Sequence, residues 1–263
     1  MPSYSMITKT QIKYLRSLHL KKYRDRENVY FAEGVKLVNE ALSSHIPDIK
    51  MLLYTSENKQ HIRTELLSHN IPSIELKQED FQKISVLKNP QGVLLLIKRP
   101  VNPIPEISEF NDLILILDSI RDPGNLGTII RLADWFDIRY IICSSESVDC
   151  YNPKVVQATM GAIFRVNIFY TPLTEFLSIL HESGKSTIYG STMNGENIYK
   201  KQLKTPAAII LGNEAHGISL GIHQYIDENI LIPNFNNSVS RSESLNVSMS
   251  AAIICSEFRR NKV

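Results

Sequence analysis

The chain has 263 residues and a mass of 29.9 kDa, which suits one large domain or two of ordinary size. Hydrophobic residues make up 43% and charged residues 21%, so the chain can bury a core and is not a disordered tail. Its longest apolar runs, such as Leu113–Leu117, have five residues, and residues 1–14 contain no signal-peptide pattern. A bilayer crossing needs ~18 apolar residues, so we expect a cytoplasmic protein with no membrane partner. Three cysteines without a CxxC pair predict neither a disulfide framework nor a metal site.

The first hundred residues alternate between helical and strand patterns. Helices are predicted over residues 8–18, 33–44, 59–69 and 78–87, and strands over residues 50–54, 73–76 and 93–97. This alternation predicts a small α/β domain. Prolines at positions 100, 103 and 105 favour an extended linker. We therefore predict domains at 1–98 and 112–263, joined by a linker at 99–111.

Basic residues concentrate near the amino terminus, although the net charge of the chain is only +2. Such a cluster attracts phosphate backbones without regard to sequence. The charge pattern alone leaves open a second interpretation, a solvated helix face. The candidate phosphate-binding residues are Lys13, Arg16, Lys21, Lys22, Arg24 and Arg26.

The second half of the chain has a stronger alternation. Strands are predicted at Leu113–Leu117, 139–143, 165–169, 187–190, Ala207–Leu211 and 229–232, and a helix at 124–136. Continuous apolar strands separated by helices predict a parallel sheet that is covered on both faces. Because ligands bind at the carboxyl ends of such strands, the loops that follow them are the candidate sites.

The loop after the first of these strands contains Gly124, Asn125 and Gly127 and runs into a helix that carries Arg131. The glycines permit close approach of a ligand, and the amides of a helix amino terminus favour an anion or a polar edge. Asn125 could also be a helix cap, and Arg131 a surface ion-pair partner. No GxGxxG pattern is present, which argues against a dinucleotide-binding oxidoreductase.

Two further loops follow strands in the same way. In residues 209–218, Gly212 and Gly217 flank Glu214 and His216. These two side chains are candidate site residues, but the pattern also fits an ordinary capping carboxylate and a loop histidine. In residues 230–248, a proline ends the strand and a polar stretch precedes a helix, which Ser242 or Ser244 could cap. The three loops in this order are more specific than any one of them.

These loops resemble motifs 1, 2 and 3 of the SpoU, or TrmH-like, branch of the SPOUT RNA 2′-O-ribose methyltransferases. The matching segments are 125–131 (NLGTIIR), 211–217 (LGNEAHG) and 232–233 (IP) with 244–248 (SLNVS). Upstream, 30–38 (YFAEGVKLV) and 89–93 (NPQGV) are similar to the N-terminal substrate-binding domain of the family, which has an L30e-like fold. Together the matches span nearly the whole chain.

The resemblance implies a small L30e-like α/β domain followed by a parallel-sheet SPOUT domain with a trefoil knot. It also implies a homodimer and S-adenosylmethionine as cofactor, held by the backbone around Gly212, Ile232 and Leu245. The methyl-transfer site would be lined by matching side chains, namely Asn125, Arg131, Glu214, Ser244 and Asn246. The family commonly has a methionine and a glycine soon after the Ile-Pro. Residues 234–243 lack both, so the resemblance implies nothing about the path of that segment.

The predicted function is that of an S-adenosylmethionine-dependent RNA 2′-O-ribose methyltransferase. Ribosomal RNA is the favoured substrate, because the two-domain form resembles rRNA and antibiotic-resistance enzymes more than tRNA enzymes with short basic extensions. A tRNA 2′-O-methyltransferase and a non-catalytic RNA-binding protein of the same fold are the alternatives. Arg131 is the base proposed for the family, yet a guanidinium has a pKa above ~12. Phosphate binding and orientation of the hydroxyl therefore remain an equal alternative for Arg131.

Overall fold

The computed structural model describes residues 7–43, 48–62, 71–101, 103–236 and 244–260. The chain divides into two compact units. The first comprises Met1–Asn102 and Asp149–Phe164, and the second comprises Pro103–Val148 and Arg165–Val263. Among the described helices, none combines the length and the apolar composition that a bilayer crossing requires.

The first hundred residues form a mixed sheet with helices on both faces. In chain order the elements are α1 (Lys9–Ser17), α2 (Lys21–Glu27), β1 (Val29–Glu33), α3 (Val35–Ser43), β2 (Ile49–Thr55), β3 (Ser73–Leu76), α4 (Gln78–Ile84) and β4 (Val93–Lys98). The strand order is β1-β4-β2-β3, in which β4 runs antiparallel to β1 and β2, and β3 runs parallel to β2. The carboxyl ends of β1, β2 and β3 therefore lie at the same edge of this sheet.

Alternation along β1 builds two cores from one strand. Tyr30 and Ala32 face a cluster that includes Val38 of α3. Phe31 faces the opposite cluster, which contains Leu15 of α1 and Phe81 of α4. All five residues of β1 are buried, so this strand lies inside its unit.

The rest of the chain forms a second sheet. In chain order the remaining elements are β5 (Leu113–Leu117), α5 (Pro123–Trp135), β6 (Tyr140–Cys143), α6 (Pro153–Thr159), β7 (Asn167–Tyr170), α7 (Leu173–Ser183), β8 (Thr187–Asn197), β9 (Ala207–Leu211), β10 (Glu228–Leu231) and α8 (Val247–Arg259). All of them except α6 belong to the second unit. The strand order is β10-β8-β9-β5-β6-β7, and every pair is parallel. The loops after β5, β9 and β10 thus share the carboxyl edge.

Helices cover this second sheet on both faces. Ile188 of β8 packs with Leu177 of α7. Its neighbour Tyr189 points the other way and meets Phe258 of α8 edge to face, with ring centroids 5.2 Å apart. Helix α8 also packs against α5. The face opposite α7 is therefore covered by α5 and α8, the two helices that follow the first and third candidate loops.

The segment Asp149–Phe164 belongs to the first unit although it lies in the second half of the chain. Val156 of α6 and Ile163 are buried in the same cluster as Val38. The segment is also held by an ion pair in which Arg24 Nη2 lies 2.7 Å from Asp149 Oδ2. The domain limits 1–98, 99–111 and 112–263 stay a prediction, which does not anticipate this discontinuous unit.

The predicted elements compare closely with the observed ones where the pattern is strongest. The strands at Ser73–Leu76, Leu113–Leu117 and Ala207–Leu211 have the expected limits. The sequence analysis missed α2 and β1, and the helix predicted from residue 33 begins at Val35, because Glu33 is the last residue of β1. Of the helix predicted at 59–69, the first residues belong to a 3₁₀ turn, Ser56–His61, and residues 63–69 lie outside the described part.

Candidate active site

The loop that follows β5 is fixed by hydrogen bonds from its neighbours. Ser119 has a left-handed φ of 58°, and its main-chain N–H donates to Ser144 Oγ at 2.9 Å. The N–H of buried Ile120 donates to Ser147 Oγ at 3.1 Å. Asn213 Nδ2, from the loop after β9, donates to the Ser119 carbonyl at 2.8 Å. Non-glycine residues rarely adopt a left-handed φ, and those that do are concentrated at functional sites.

Helix α5 begins at the end of this loop. Asp122 is its N-cap, with Oδ1 accepting from the Asn125 N–H at 2.8 Å, and Pro123 occupies the first turn. An aspartate before a proline is a favourable helix start, since proline needs no partner for a missing N–H. The interpretation of Asn125 as the cap is therefore wrong. Because Asp122 takes that role, the Asn125 side chain is available to other loops.

Side chains from all three candidate loops meet in one hydrogen-bonded network. Asn125 Nδ2 donates to Glu214 Oε1 at 2.6 Å, and Asn246 Nδ2 donates to Asn125 Oδ1 at 2.9 Å. Asn125 thus uses both ends of its amide. Three of the five side chains predicted to line the methyl-transfer site, which are far apart in sequence, are therefore in direct contact.

Asn246 also begins helix α8. Its Oδ1 accepts from the main-chain N–H of Ser248 at 3.0 Å and of Met249 at 3.4 Å. The expectation that Ser242 or Ser244 caps this helix is wrong for Ser244, and Ser242 lies outside the described residues. One end of the Asn246 amide fixes the helix, and the other end fixes Asn125.

The loop after β9 folds back on itself within a few residues. Asn213 and Gly217 exchange main-chain hydrogen bonds of 2.9 and 2.8 Å, and Asn213 Oδ1 accepts from the N–H of Ala215 at 2.9 Å. A Cβ added to Gly212 would lie 2.3 Å from the carbonyl carbon of Gly217. Gly212 is therefore required by the close approach of its own loop. This tight turn holds Glu214 at the edge of the sheet.

Three supporting residues were missed by the sequence analysis: Asp118, Asp122 and Asn213. Asp118 is buried, and its Oδ2 accepts from the N–H of Ser219 at 2.7 Å, which ties the first loop to the second. The Asp-Pro pair was a usable signal for the cap at position 122. The partners of Asp118 and Asn213 are distant in sequence, so no local pattern could have indicated them.

Arg131 and Ser244 are exposed and lie outside the network. Neither side chain makes a hydrogen bond or an ion pair with any residue that the structure describes. Arg131 shares one face of α5 with Thr128 and Trp135, which are three and four residues away. The guanidinium of Arg131 is therefore exposed in the second half of α5, nearly two turns beyond Asn125, with no partner among the described residues.

The main chain at the three predicted cofactor positions is suitable for binding. Gly212 directly follows β9, and Ile232 directly follows β10. Leu245 directly precedes Asn246, the N-cap of α8. Within the described ranges, their N–H and carbonyl groups have no hydrogen-bond partner. Free donors and acceptors of this kind match the polar edges of an adenosine group, so the residues present fit S-adenosylmethionine. No cluster of three or more potential metal ligands occurs in the part of the chain that is described.

The predicted phosphate-binding residues lie on α1 and α2 of the first unit. Five of them, Lys13, Arg16, Lys21, Lys22 and Arg26, are exposed. Arg24 is a correction, because it is only 1% exposed and its Nη1 donates to the carbonyl of His19 at 2.7 Å. With Nη2 paired to Asp149, Arg24 is part of the core of the unit and is not available to a phosphate.

The sequence matches two known family models. The SpoU rRNA methylase family matches residues 112–256, and the MRM3-like substrate binding domain matches residues 9–95. The first match covers more than half of the chain and contains all three loops of the network. This chain belongs to the SpoU rRNA methylase family.

Similar proteins extend over both units. The chain is 34% identical over 243 residues to the 23S rRNA (guanosine-2′-O-)-methyltransferase RlmB of Neisseria meningitidis, covering 88% of this chain and 94% of that protein. A TrmH-family structure from Porphyromonas gingivalis has a TM-score of 0.87 at 38% identity, covering 98% of this chain and 100% of that one. An S-adenosylmethionine-bound rRNA methyltransferase from Sinorhizobium meliloti has a TM-score of 0.84 at 26% identity, with 98% and 97% covered.

These matches confirm the predicted family, the α/β fold class with its N-terminal substrate-binding domain, and the class of enzyme, an RNA methyltransferase. The roles of the individual site residues stay predictions.

Proposed function

We propose that this chain transfers the methyl group of S-adenosylmethionine to a ribose 2′-hydroxyl of 23S rRNA. The observation that carries the proposal is the network of Asn125, Glu214 and Asn246, which joins the three family loops at the carboxyl edge of the sheet. The 34% identity to the 23S rRNA methyltransferase of Neisseria meningitidis supports this substrate. Ribosome maturation is the biological role that this substrate favours.

S-adenosylmethionine, when bound, supplies a methyl carbon that is activated by a sulfonium and open to in-line displacement. The main-chain groups of Gly212, Ile232 and Leu245 would hold its adenosine. What the protein must then do is position the hydroxyl and provide for its proton.

Glu214 is the group we assign to the proton. Its Oε1 accepts from Asn125, whereas Oε2 has no hydrogen-bond partner among the described residues. Oε2 would take up the proton of the 2′-hydroxyl, directly or through a water molecule, when the bound cofactor supplies its methyl group. Arg131 is exposed and has no partner among the described residues, and we assign it to a phosphate beside the target ribose, which it would help to orient.

A homodimer is proposed from the surface of α5 and α8. Three large apolar side chains are exposed on or next to these packed helices: Trp135 at 84%, Met249 at 58% and Leu245 at 52%. Such a group of apolar side chains favours a protein partner, and a second copy of the chain fits because an isologous contact buries the same face twice.

RNA binding by the first unit is proposed from the exposed basic residues of α1 and α2. Lys22 and Arg26 both lie over the ring of Tyr23, at 4.8 and 5.1 Å from its centroid. This stacking holds two cations in place beside a planar group.

We also propose that the second unit contains the trefoil knot that the family resemblance implies. We propose further that the protein acts in the cytoplasm, the compartment of ribosome assembly in bacteria.

The proposal is tested by incubating the protein with tritiated S-adenosylmethionine and unmodified 23S rRNA. Label in the RNA is expected, and ribose-methylation mapping with and without the protein identifies the nucleotide. Label in tRNA but not in 23S rRNA would favour the tRNA alternative. RNA binding without any label would favour the non-catalytic alternative.

A further inference from the structure

Arg121 lies in the rigid loop between β5 and α5, one residue before the N-cap of α5. On one side, Ile120 is fully buried, and its carbonyl accepts from the Val148 N–H at 2.8 Å. On the other side, Asp122 is held by its bond to the Asn125 N–H. Both neighbours are fixed, so the backbone of Arg121 is ordered in advance while its side chain is exposed. A preorganised group loses less entropy when it binds a ligand.

The guanidinium of Arg121 has no counter-charge within the described part of the chain, where it forms no ion pair or hydrogen bond. Asp118, Asp122 and Glu214 each accept a hydrogen bond from a neutral N–H group, and none of them forms an ion pair with Arg121. The edge therefore presents a free cation next to the network.

Other arginines of the second unit show the contrast. Arg165 pairs with Asp134 at 2.8 Å, and Arg259 pairs with Asp112 at 2.7 Å. Arg121 and Arg131 have no ion-pair partner among the residues that the structure describes. Arg139 is also exposed and unpaired among the described residues, but it precedes β6 and so lies at the opposite edge of the sheet.

We propose that Arg121 binds a backbone phosphate of the RNA next to the nucleotide that is methylated. This inference rests on the proposed function. A planar guanidinium suits a phosphate because it can donate two parallel hydrogen bonds. Arg121 would then fix the RNA strand at the loop that precedes α5, close in sequence to Asn125.

The test compares Arg121→Ala with wild type and with Arg139→Ala, using unmodified 23S rRNA as the probe. Loss of a charged hydrogen bond to phosphate should raise the KM for RNA about 10- to 100-fold while kcat at saturating RNA stays within about 3-fold. The slope of log(kcat/KM) against log[salt] should become shallower by about 0.7–0.9. Arg139→Ala should match wild type in both measurements, and Arg121→Lys should keep the salt slope.

Two outcomes would overturn the proposal. One is a KM and a salt slope for Arg121→Ala that equal those of Arg139→Ala. The other is a weaker Kd for S-adenosylmethionine by calorimetry, which would assign Arg121 to the cofactor carboxylate or to the loop structure. If wild type transfers no methyl group, the proposed function fails. Fluorescence anisotropy of RNA binding at several salt concentrations then still decides the role of Arg121.

Discussion

Asn125 is half-buried and holds two neighbours with opposite ends of one amide, so its identity is tightly constrained. Aspartate has nearly the same shape but could not donate to Glu214 and would place two carboxylates in contact. Alanine would release both Glu214 and Asn246. The network therefore depends on which group donates and which accepts each hydrogen bond. Substitutions that exchange a donor for an acceptor can test each of its residues.

The two roles of Asn246 are separable by substitution. Asn246→Asp keeps an acceptor for the N–H groups of Ser248 and Met249 but loses the donor to Asn125. We expect a thermal midpoint close to that of wild type and a large loss of kcat. Asn246→Ala should lose kcat and also about 0.5–2 kcal/mol of stability from the missing cap. Equal stability of the two variants, measured by denaturant unfolding, would contradict this division of roles.

Arg131 should be important for turnover and unimportant for stability. It is exposed and makes no described contact, so Arg131→Ala should change the free energy of unfolding by less than about 0.5 kcal/mol. If it orients the target ribose, kcat should fall by about 10²–10⁴. Single-turnover methylation at saturating cofactor and RNA measures this loss. Rescue by Arg131→Lys favours simple phosphate attraction, whereas normal turnover in Arg131→Ala removes the residue from the site.

We expect Glu33 to make the stability of the first unit depend on pH. Burial raises the pKa of this carboxyl group, and hydrogen bonds from Ser85 and the Val86 main chain only partly oppose that effect. The pKa of Glu33 is higher in the folded state than in the unfolded state. Its contribution to the free energy of unfolding is therefore fully present below the unfolded pKa of about 4.3 and is lost as pH rises through the folded pKa.

Glu33→Gln should therefore be more stable than wild type at pH 7 and about equal to it near pH 4. Denaturant unfolding at the two pH values measures the difference. Exposed Glu57→Gln is the control and should show no pH-dependent difference. A Glu33→Gln variant that is less stable than wild type at pH 7 would show that the charged carboxylate is the stabilising form.

At the scale of elements, the helix pair α5 and α8 provides the test of the dimer. Trp135→Lys should remove an exposed aromatic anchor and weaken association by at least about 2 kcal/mol, the size of a typical hot spot. Leu220→Lys is a matched control, because Leu220 is 90% exposed but lies in the 3₁₀ turn Leu220–Tyr225, which packs with α7. Sedimentation at several protein concentrations compares the two. Identical behaviour of both variants would place the interface elsewhere.

The elements that sequence predicts well are those fixed by local pattern. The unbroken apolar run at Leu113–Leu117 gives its strand directly, and the family motifs bring Asn125, Glu214 and Asn246 to attention before any contact is known. Contacts between distant residues are beyond such patterns. Arg24 pairs with Asp149, which is 125 residues away in the sequence. Gly212 lies against the main chain of Gly217, where its own loop turns back.

At the scale of the whole molecule, the segment Asp149–Phe164 makes the units inseparable by a single cut. A fragment of residues 103–263 would carry this segment without the core that buries Val156 and Ile163. We expect the fragment to aggregate and to bind the dye ANS. Replacing both residues with serine should restore its solubility, as measured by light scattering. A soluble, monodisperse wild-type fragment would contradict this expectation.

The same segment sets an order of events during synthesis on the ribosome. The first unit ends its main stretch at Asn102, but its core is incomplete until Phe164 has emerged. At ~5–20 residues per second, those further roughly 60 residues take about 3–12 s. During that interval the apolar surface that Val156 and Ile163 later cover is open, so chaperones have a defined period in which to bind the nascent chain. The first unit therefore completes its folding only after residues 103–164 have been synthesised, which include part of the second unit.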